Sequence, residues 1–336
     1  MSRPPLLTLQ IALVIFVSCG CSCVNAPWCN QTPTRLSASP SLGEVMGVIN
    51  SDTARVTSMS TNHATLRVSG APTSLRANLY VERRPGAPTR LRLRASSSLT
   101  GPEMDLGSND ELFWVWVKRS EPKAVYVARH DQYAGSPMHR LIPLTPEQLV
   151  SALGLVTFPA DASHQGPFRA EPGRLEIRSV VTGPQGPQTI ITEVDDRAGW
   201  VLGQRLYDQA GKHLATVKMS DHQNDPISGA TLPERVQISW PERGLSMSIS
   251  ANRYDINVPP TVADVFALPH FEGYPRVDLA RSNVQPAPPL QHRPPPGPLG
   301  PSPQPAGNTS FRQAPLSLRS GWTNPGTPAG DPLPRR

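Results

Sequence analysis

Short strand-like stretches follow one another along most of this chain, and the links between them are short. Between residues 64 and 250, about eleven stretches rich in branched and aromatic residues are separated by turns that contain Gly or Pro. In one of them, Leu91 and Leu93 alternate with arginines, which is typical of a strand with one face in water. Parallel strands would need longer crossover connections. The spacing therefore predicts a mainly β fold built as an antiparallel meander.

Two short helices are predicted beside the strands, which makes the fold class α+β. The first, over Leu42–Asp52, presents one apolar face, formed by Leu42, Val45, Met46 and Ile49. The second begins with Thr145 as a cap and Pro146 in its first turn, and it ends near Gly154.

The strand Leu112–Val117 is apolar on both faces, unlike its neighbours. Side chains alternate along a strand, so the residues Leu112, Trp114 and Trp116 share one face and Phe113 lies on the other. The helices can cover one face, and the other meets either core packing or a cavity that holds an apolar ligand. We identify four candidate cavity-lining residues, Leu112, Phe113, Trp114 and Trp116.

The amino-terminal segment resembles a lipoprotein signal peptide. A basic start is followed by an apolar run over residues 6–17, which is too short to span a bilayer. Next comes Phe16-Val17-Ser18-Cys19, which is similar to a lipobox. We therefore predict a signal peptide over residues 1–18, acylation of Cys19 and a tether over residues 19–39. Cys21 is the alternative acylation site, and an acyl anchor of several chains would be stable.

All four cysteines lie between positions 19 and 29, so the predicted domain, residues 40–281, contains none and is not held by disulfides. Residues 282–336 are so rich in Pro that neither helix nor sheet is expected. We predict a disordered tail with polyproline II character there, which acts as a spacer or binds an envelope protein partner.

Several kinds of chemistry find no support in the pattern. The eight histidines show no zinc-ligand spacing, and there is no nucleophile elbow or phosphate loop, so no metal, cofactor or enzyme activity is predicted. The polar cluster Asp221–Pro226 is interpreted as a loop. The formal net charge is +6, and an arginine-rich stretch over residues 83–94 is either a solvated sheet face or a contact for anionic lipid. Nucleic acid is not expected for an exported chain.

Several segments together resemble the LolA/LolB-type bacterial lipoprotein carriers and receptors. They are Leu79–Gly86, Asp105–Trp116, Leu206–Lys212, Leu232–Trp240 and Ile256–Leu268 with Pro269. The resemblance implies an incomplete antiparallel barrel of about eleven strands wrapped over short helices, with an apolar cavity that accepts acyl chains. The predicted anchor departs from the soluble carrier, which favours receptor-like or uncharacterised members of the superfamily, and the Pro-rich tail is foreign to the family pattern.

These observations together indicate a monomeric lipoprotein of the cell envelope of a diderm bacterium, on the periplasmic side of the outer or inner membrane. Its partners would be the membrane, through acylated Cys19, and an apolar or acylated ligand, with a role in lipid or lipoprotein trafficking. The alternatives are a scaffold lipoprotein that uses its Pro-rich tail and, less favoured, a hydrolase whose triad is assembled from distant positions.

Metabolic labelling with a palmitate analogue tests the anchor. We expect the protein to become labelled, and we expect the label to be lost when Cys19, but not Cys21, is replaced by serine. A protein that stays unmodified would contradict the anchor itself, and loss of label only with Cys21 would move the site by two residues.

Overall fold

The computed structural model describes residues 32–135, 144–183, 186–260 and 262–279. The predicted signal peptide, the acylation site Cys19, the tether up to residue 31 and the Pro-rich tail lie outside these residues. They remain predictions.

Fifteen strands of the described residues form one sheet. In chain order they are β1 (Ser58–Val68), β2 (Leu75–Glu82), β3 (Arg90–Ser97), β4 (Gly101–Ser108), β5 (Leu112–Val117), β6 (Val125–Arg129), β7 (Ser163–Glu171), β8 (Arg174–Gly183), β9 (Gly186–Asp195), β10 (Val201–Tyr207), β11 (His213–Asn224), β12 (Thr231–Trp240), β13 (Leu245–Ala251), β14 (Asp255–Ile256) and β15 (Arg276–Asp278).

The sheet consists of two antiparallel meanders joined side by side. Its order is β15-β6-β5-β4-β3-β2-β1-β13-β12-β11-β10-β9-β8-β7, and β14 pairs with β1. The meander β1–β6 and the meander β7–β13 meet where β1 pairs with β13, with Leu66 opposite Ile249. Only the short β15 runs parallel to its neighbour, β6. The end strands β7 and β15 are not paired with each other within the described ranges, so the barrel is incomplete, as predicted.

Both predicted helices are present. Helix α1 (Leu42–Ala54) begins where the Ser41 hydroxyl accepts a hydrogen bond from the Glu44 amide at 3.1 Å. Helix α2 (Pro146–Ala152) begins with a capping box, in which Thr145 and Gln148 each accept the other's backbone N–H. Helix α2 lies in the connection between the two meanders.

The main core lies between the sheet and the helices. Buried side chains of α1 and α2 belong to one apolar cluster with residues from strands β1–β6 and β8–β13. Val45 and Ile49 come from α1, and Leu149 and Val150 come from α2. The sheet therefore curves round the helices, because its inner apolar face and theirs can leave water only against each other.

Four strands were missed by the sequence pattern, namely β4, β7, β14 and β15. Strand β4 contains Gly, Pro and acidic residues, which individually disfavour a strand. Nevertheless β3 pairs with it from Gly101 to Ser108, and β5 pairs with it from Met104 to Ser108. Gly107 lies opposite Trp114, and a Cβ at Gly107 would overlap the indole ring. The glycine at position 107 of β4 is thus explained by the indole ring on the neighbouring strand.

The second apolar face of β5 is covered by the chain itself. Trp114 and Trp116 pack with two valines of β6 against Leu268, Phe271 and Tyr274. The rings of Trp116 and Phe271 stack, with centroids 3.9 Å apart. We call residues 262–279 the outer strap. The outer strap is therefore the apolar cover of the second face of β5.

A buried ion pair fixes the outer strap to the sheet. Arg92 Nη2 donates to Asp105 Oδ2 at 2.8 Å, and Trp114 Nε1 donates to Asp105 Oδ1 at 2.9 Å. Arg92 Nη1 also donates to the carbonyl of Val265 in the strap, at 2.7 Å. The Asp105 side chain is only 4% exposed, so each charge depends on the other.

The variant Asp105→Asn should lose about 3 kcal/mol of unfolding free energy, because it leaves the Arg92 guanidinium buried without a counter-charge. Urea unfolding measures this loss. The matched control is Asp131→Asn, whose carboxylate pairs with Arg129 but is 65% exposed, so that its loss should stay below about 1 kcal/mol. Equal losses in the two variants would contradict the role of the buried pair.

Candidate functional site

Helix α1 is joined to the segment that follows α2 by side-chain hydrogen bonds. Asn50 donates to the carbonyl of Phe158 at 3.1 Å and accepts from the Phe158 amide at 2.8 Å. The Thr53 hydroxyl donates to the carbonyl of Val156 at 2.5 Å. The two helices and residues 153–158 therefore act as one cover over the inner face of the sheet.

The cover is attached to strands β9 and β10 by polar contacts. Gln148 of α2 donates to the Gln188 side-chain carbonyl at 2.8 Å, and the Ser151 hydroxyl donates to that of Gln204 at 3.0 Å. Gln204 in turn donates to the Thr192 hydroxyl at 3.3 Å. The side chains of Gln188, Thr192 and Gln204 are buried, so these hydrogen bonds satisfy polar groups beneath α2. Leu149 and Val150 of the same helix pack in the main core beside them.

An open groove lies at the end of α1, with a volume of about 780 Å³. It is lined by the segment that enters the domain, by the end of α1, by the residue before β10, and by β11, β12 and the loop between them: Thr32, Pro33, Arg35, Arg55, Trp200, His222, Gln223, Asn224, Gly229 and Thr231. A smaller cleft of about 30 Å³ adjoins it and shares Trp200, His222 and Thr231 with it. The cleft reaches Ile49 and Met219 of the main core. We call the groove and cleft together the mouth of the half-barrel.

Two arginines share one carboxylate at the mouth. Arg35 forms a bidentate pair with Asp52, with Nη2 to Oδ1 at 2.8 Å. Its hydrogen bond to Asp52 raises the pKa of Arg35 above the ordinary value, so the guanidinium stays charged. Arg55 lies 3.7 Å from Asp52 and donates to the carbonyl of Gly229 at 2.9 Å. The Arg55 side chain remains 46% exposed, which leaves it available to a ligand.

A flat aromatic pair separates the groove from the core. The rings of Trp200 and His222 stack with centroids 5.4 Å apart and planes 15° apart. His222 Nε2 donates to the carbonyl of Val201 at 2.9 Å. Burial lowers the pKa of His222 below its usual value, so the ring is neutral near neutral pH. Trp200 Nε1 is buried and has no hydrogen-bond partner in the described structure.

The four residues predicted to line a cavity lie on different sides of β5. Phe113 faces the main core beneath the helices. Trp114 and Trp116 face the outer strap, and Leu112 is partly exposed. None of these four residues lines the mouth of the half-barrel, which the sequence pattern did not predict. The sequence signal for the mouth was the polar cluster Asp221–Pro226, and its interpretation as a loop was wrong for residues 221–224, which belong to β11 and bring His222 onto Trp200.

The arginine-rich stretch is engaged within the fold. Arg83 donates a hydrogen bond to the carbonyl of Thr53. Arg90 donates to Asp110 at 2.9 Å. Arg92 is buried and donates to Asp105. Arg84 also pairs with Asp110, and Arg94 lies 3.8 Å from Asp105. Most of these guanidinium groups therefore have partners within the fold, and fewer of them are free to contact anionic lipid than the sequence indicated.

The described residues contain neither a cluster of metal-binding side chains nor a helix that could span a membrane. His, Cys, Asp and Glu side chains nowhere gather in threes close enough to hold a metal ion within that part of the chain. No helix there is both long and apolar enough to cross a membrane.

The sequence matches no protein-family model and no curated protein sequence. Solved structures with a similar fold include an outer membrane lipoprotein-sorting protein domain from Vibrio parahaemolyticus, at 10% identity and a TM-score of 0.46, which covers 64% of this chain and 93% of that one. A LolA superfamily protein from Nitrosomonas europaea matches at 10% identity and a TM-score of 0.44, over 69% and 99% of the two chains. A DUF1329 family protein from Desulfovibrio piger matches at 12% identity and a TM-score of 0.44, over 64% and 95%.

The printed description of the Nitrosomonas europaea structure names the superfamily that the sequence resembles.

The lowered pKa of His222 gives a prediction for pH. Below its usual pKa of about 6.5 the unfolded state binds a proton that the folded state does not. Folding stability should therefore fall as the pH drops from 7.5 to 5.5, and it should fall less in His222→Gln, which has no imidazole to protonate. Urea unfolding at both pH values measures this. Equal slopes in the two proteins, or an NMR titration of His222 at or above the usual pKa, would contradict it.

Proposed function

We propose that this chain is a lipid-anchored protein of the cell envelope that binds an apolar or acylated ligand between the inner face of its half-barrel and the helical cover. The observation that carries the proposal is the construction of the cover. Two short helices keep a large apolar sheet face from water, and polar contacts hold one of them to that sheet.

The size of the cleft supports a ligand that enters when the cover shifts. A volume of about 30 Å³ is close to that of one water molecule in the liquid, so an acyl chain needs more room than the closed state provides. Each side-chain hydrogen bond to the sheet contributes only about 1 kcal/mol net. An apolar ligand would then replace the helices as the partner of the sheet, which keeps its inner face dry.

The composition of the inner face favours hydrocarbon over a polar small molecule. The main core contains aliphatic side chains from twelve strands, and Phe113 is one of its fully buried aromatic residues. Such a surface binds by area and shape and provides few directional contacts. We therefore retain Phe113 as a lining residue, and we propose binding and transfer of acylated molecules as the activity, without catalysis.

The predicted anchor agrees with the position of the mouth. Thr32 and Pro33 line the groove, so the tether leaves the domain there. If Cys19 is acylated, the segment up to Thr32 spans at most roughly 45 Å when fully extended. The mouth would then stay near the membrane surface, on the periplasmic side, where acylated ligands are found.

Uptake of a fluorescent fatty acid tests the proposal. We expect the full chain with Cys19 and Cys21 replaced by serine to bind the probe, and we expect native mass spectrometry of protein from its own host to detect co-purified lipid. Ser151→Ala removes one contact of the cover, so uptake should be about fivefold faster if its opening limits entry.

The matched control is Ser120→Ala, whose hydroxyl contacts only the nearby carbonyl of Pro122 among the described residues and whose uptake rate should not change. The absence of both probe uptake and co-purified lipid would overturn the proposed function. An unchanged rate in Ser151→Ala would show that the cover does not limit entry.

A further inference from the structure

We propose that the groove at the mouth binds the anionic head, a carboxylate or a phosphate, of an amphiphile whose hydrocarbon part lies between α1 and the sheet. This inference rests on the proposed function and deepens it, because it names the chemical class of the ligand and the place of each of its parts.

The charge of the groove is the first observation that favours an anionic ligand. Its lining contains two guanidinium groups, those of Arg35 and Arg55, and no carboxylate. Asp52 lies in the cleft behind them and neutralises one charge, so the residues that line the mouth carry one net positive charge, and the neighbouring carboxylates Asp195 and Asp221 act on His222 from outside this lining. An anionic group placed in the groove would gain charge-assisted hydrogen bonds, which are stronger than neutral ones.

The connection between groove and core carries the second step. Trp200, His222 and Thr231 line both the groove and the cleft, and the cleft ends against Ile49 of α1. A single molecule with its head among the arginines would therefore place its chain directly beneath the helix. This gradient, from cations through an aromatic pair to aliphatic side chains, matches the order of groups along an amphiphile.

The hydrogen-bonding groups at the boundary carry the third step. Trp200 Nε1 is buried and lacks a partner, which costs free energy in the ligand-free state. His222 donates its Nε2 proton to Val201, so it does not compete for the ligand. A head-group oxygen would supply an acceptor in a region that otherwise offers donors from Arg55, Thr231 and Gln223.

Binding of four probes to the full chain with Cys19 and Cys21 replaced by serine tests the inference by calorimetry. The probes are dodecanoate, dodecyl phosphate, neutral dodecanol and inorganic phosphate. Arg55→Gln should weaken both anionic dodecyl probes about tenfold and dodecanol less than twofold, since it removes a charged hydrogen-bond donor. Arg55→Lys should restore most of the lost affinity because it keeps the charge.

The matched control is Arg174→Gln, which removes an arginine of similar exposure (48%) on β8, away from the lining of the groove, and which should leave all affinities unchanged. Thermal unfolding checks that each variant is folded. Inorganic phosphate should bind far more weakly than dodecyl phosphate. Phosphate that binds as tightly would show a site for the free ion and would overturn the amphiphile.

The outcomes separate this inference from the proposed function. If the chain binds all three dodecyl probes and Arg55→Gln weakens them equally or not at all, the assignment of the head group is overturned and the proposed function stands. If the chain binds none of the dodecyl probes, the assignment of the head group is overturned, and the proposed function falls with it when fatty-acid uptake and co-purified lipid are absent as well.

Discussion

The inner face of an open sheet must be kept from water, and most of this structure follows from that constraint. Two antiparallel meanders join at β1 and β13 and curve round α1 and α2, which complete the core. The helices are short, and side-chain amides and hydroxyls hold the cover together and fix α2 to the sheet. A cover with this construction protects the apolar face, and side-chain hydrogen bonds fix its position.

On the outer face of the sheet, β5 is covered by a segment without helices. The outer strap closes over Trp114 and Trp116, and the buried pair of Arg92 and Asp105 fixes the strap in one place. The Asp105 carboxylate also accepts the Trp114 indole N–H, so one carboxylate orders three strands and the strap. The two faces of the sheet thus have different covers, an ion-paired strap over β5 on the outer side and two hydrogen-bonded helices on the inner side.

The mouth combines features that come from separate parts of the chain. Arg35 precedes α1, Arg55 follows it, and Trp200 and His222 belong to the second meander. Their convergence at the end of α1 gives the half-barrel a polar, cationic rim above an apolar interior. Thr32 and Pro33, the first described residues of the chain, lie at the same rim.

The sequence by itself determined the fold class, both helices and eleven of the fifteen strands, because alternation, caps and turn residues are local signals. It also showed that β5 is dry on both faces. Only the tertiary structure decided what covers each face, because the outer strap lies more than a hundred residues away in the chain. The pattern along single strands did not predict β4 or the mouth either, because Gly107 is explained by Trp114 on the neighbouring strand and His222 is explained by Trp200 in the segment before β10. Contacts between distant residues leave no periodic trace in the sequence.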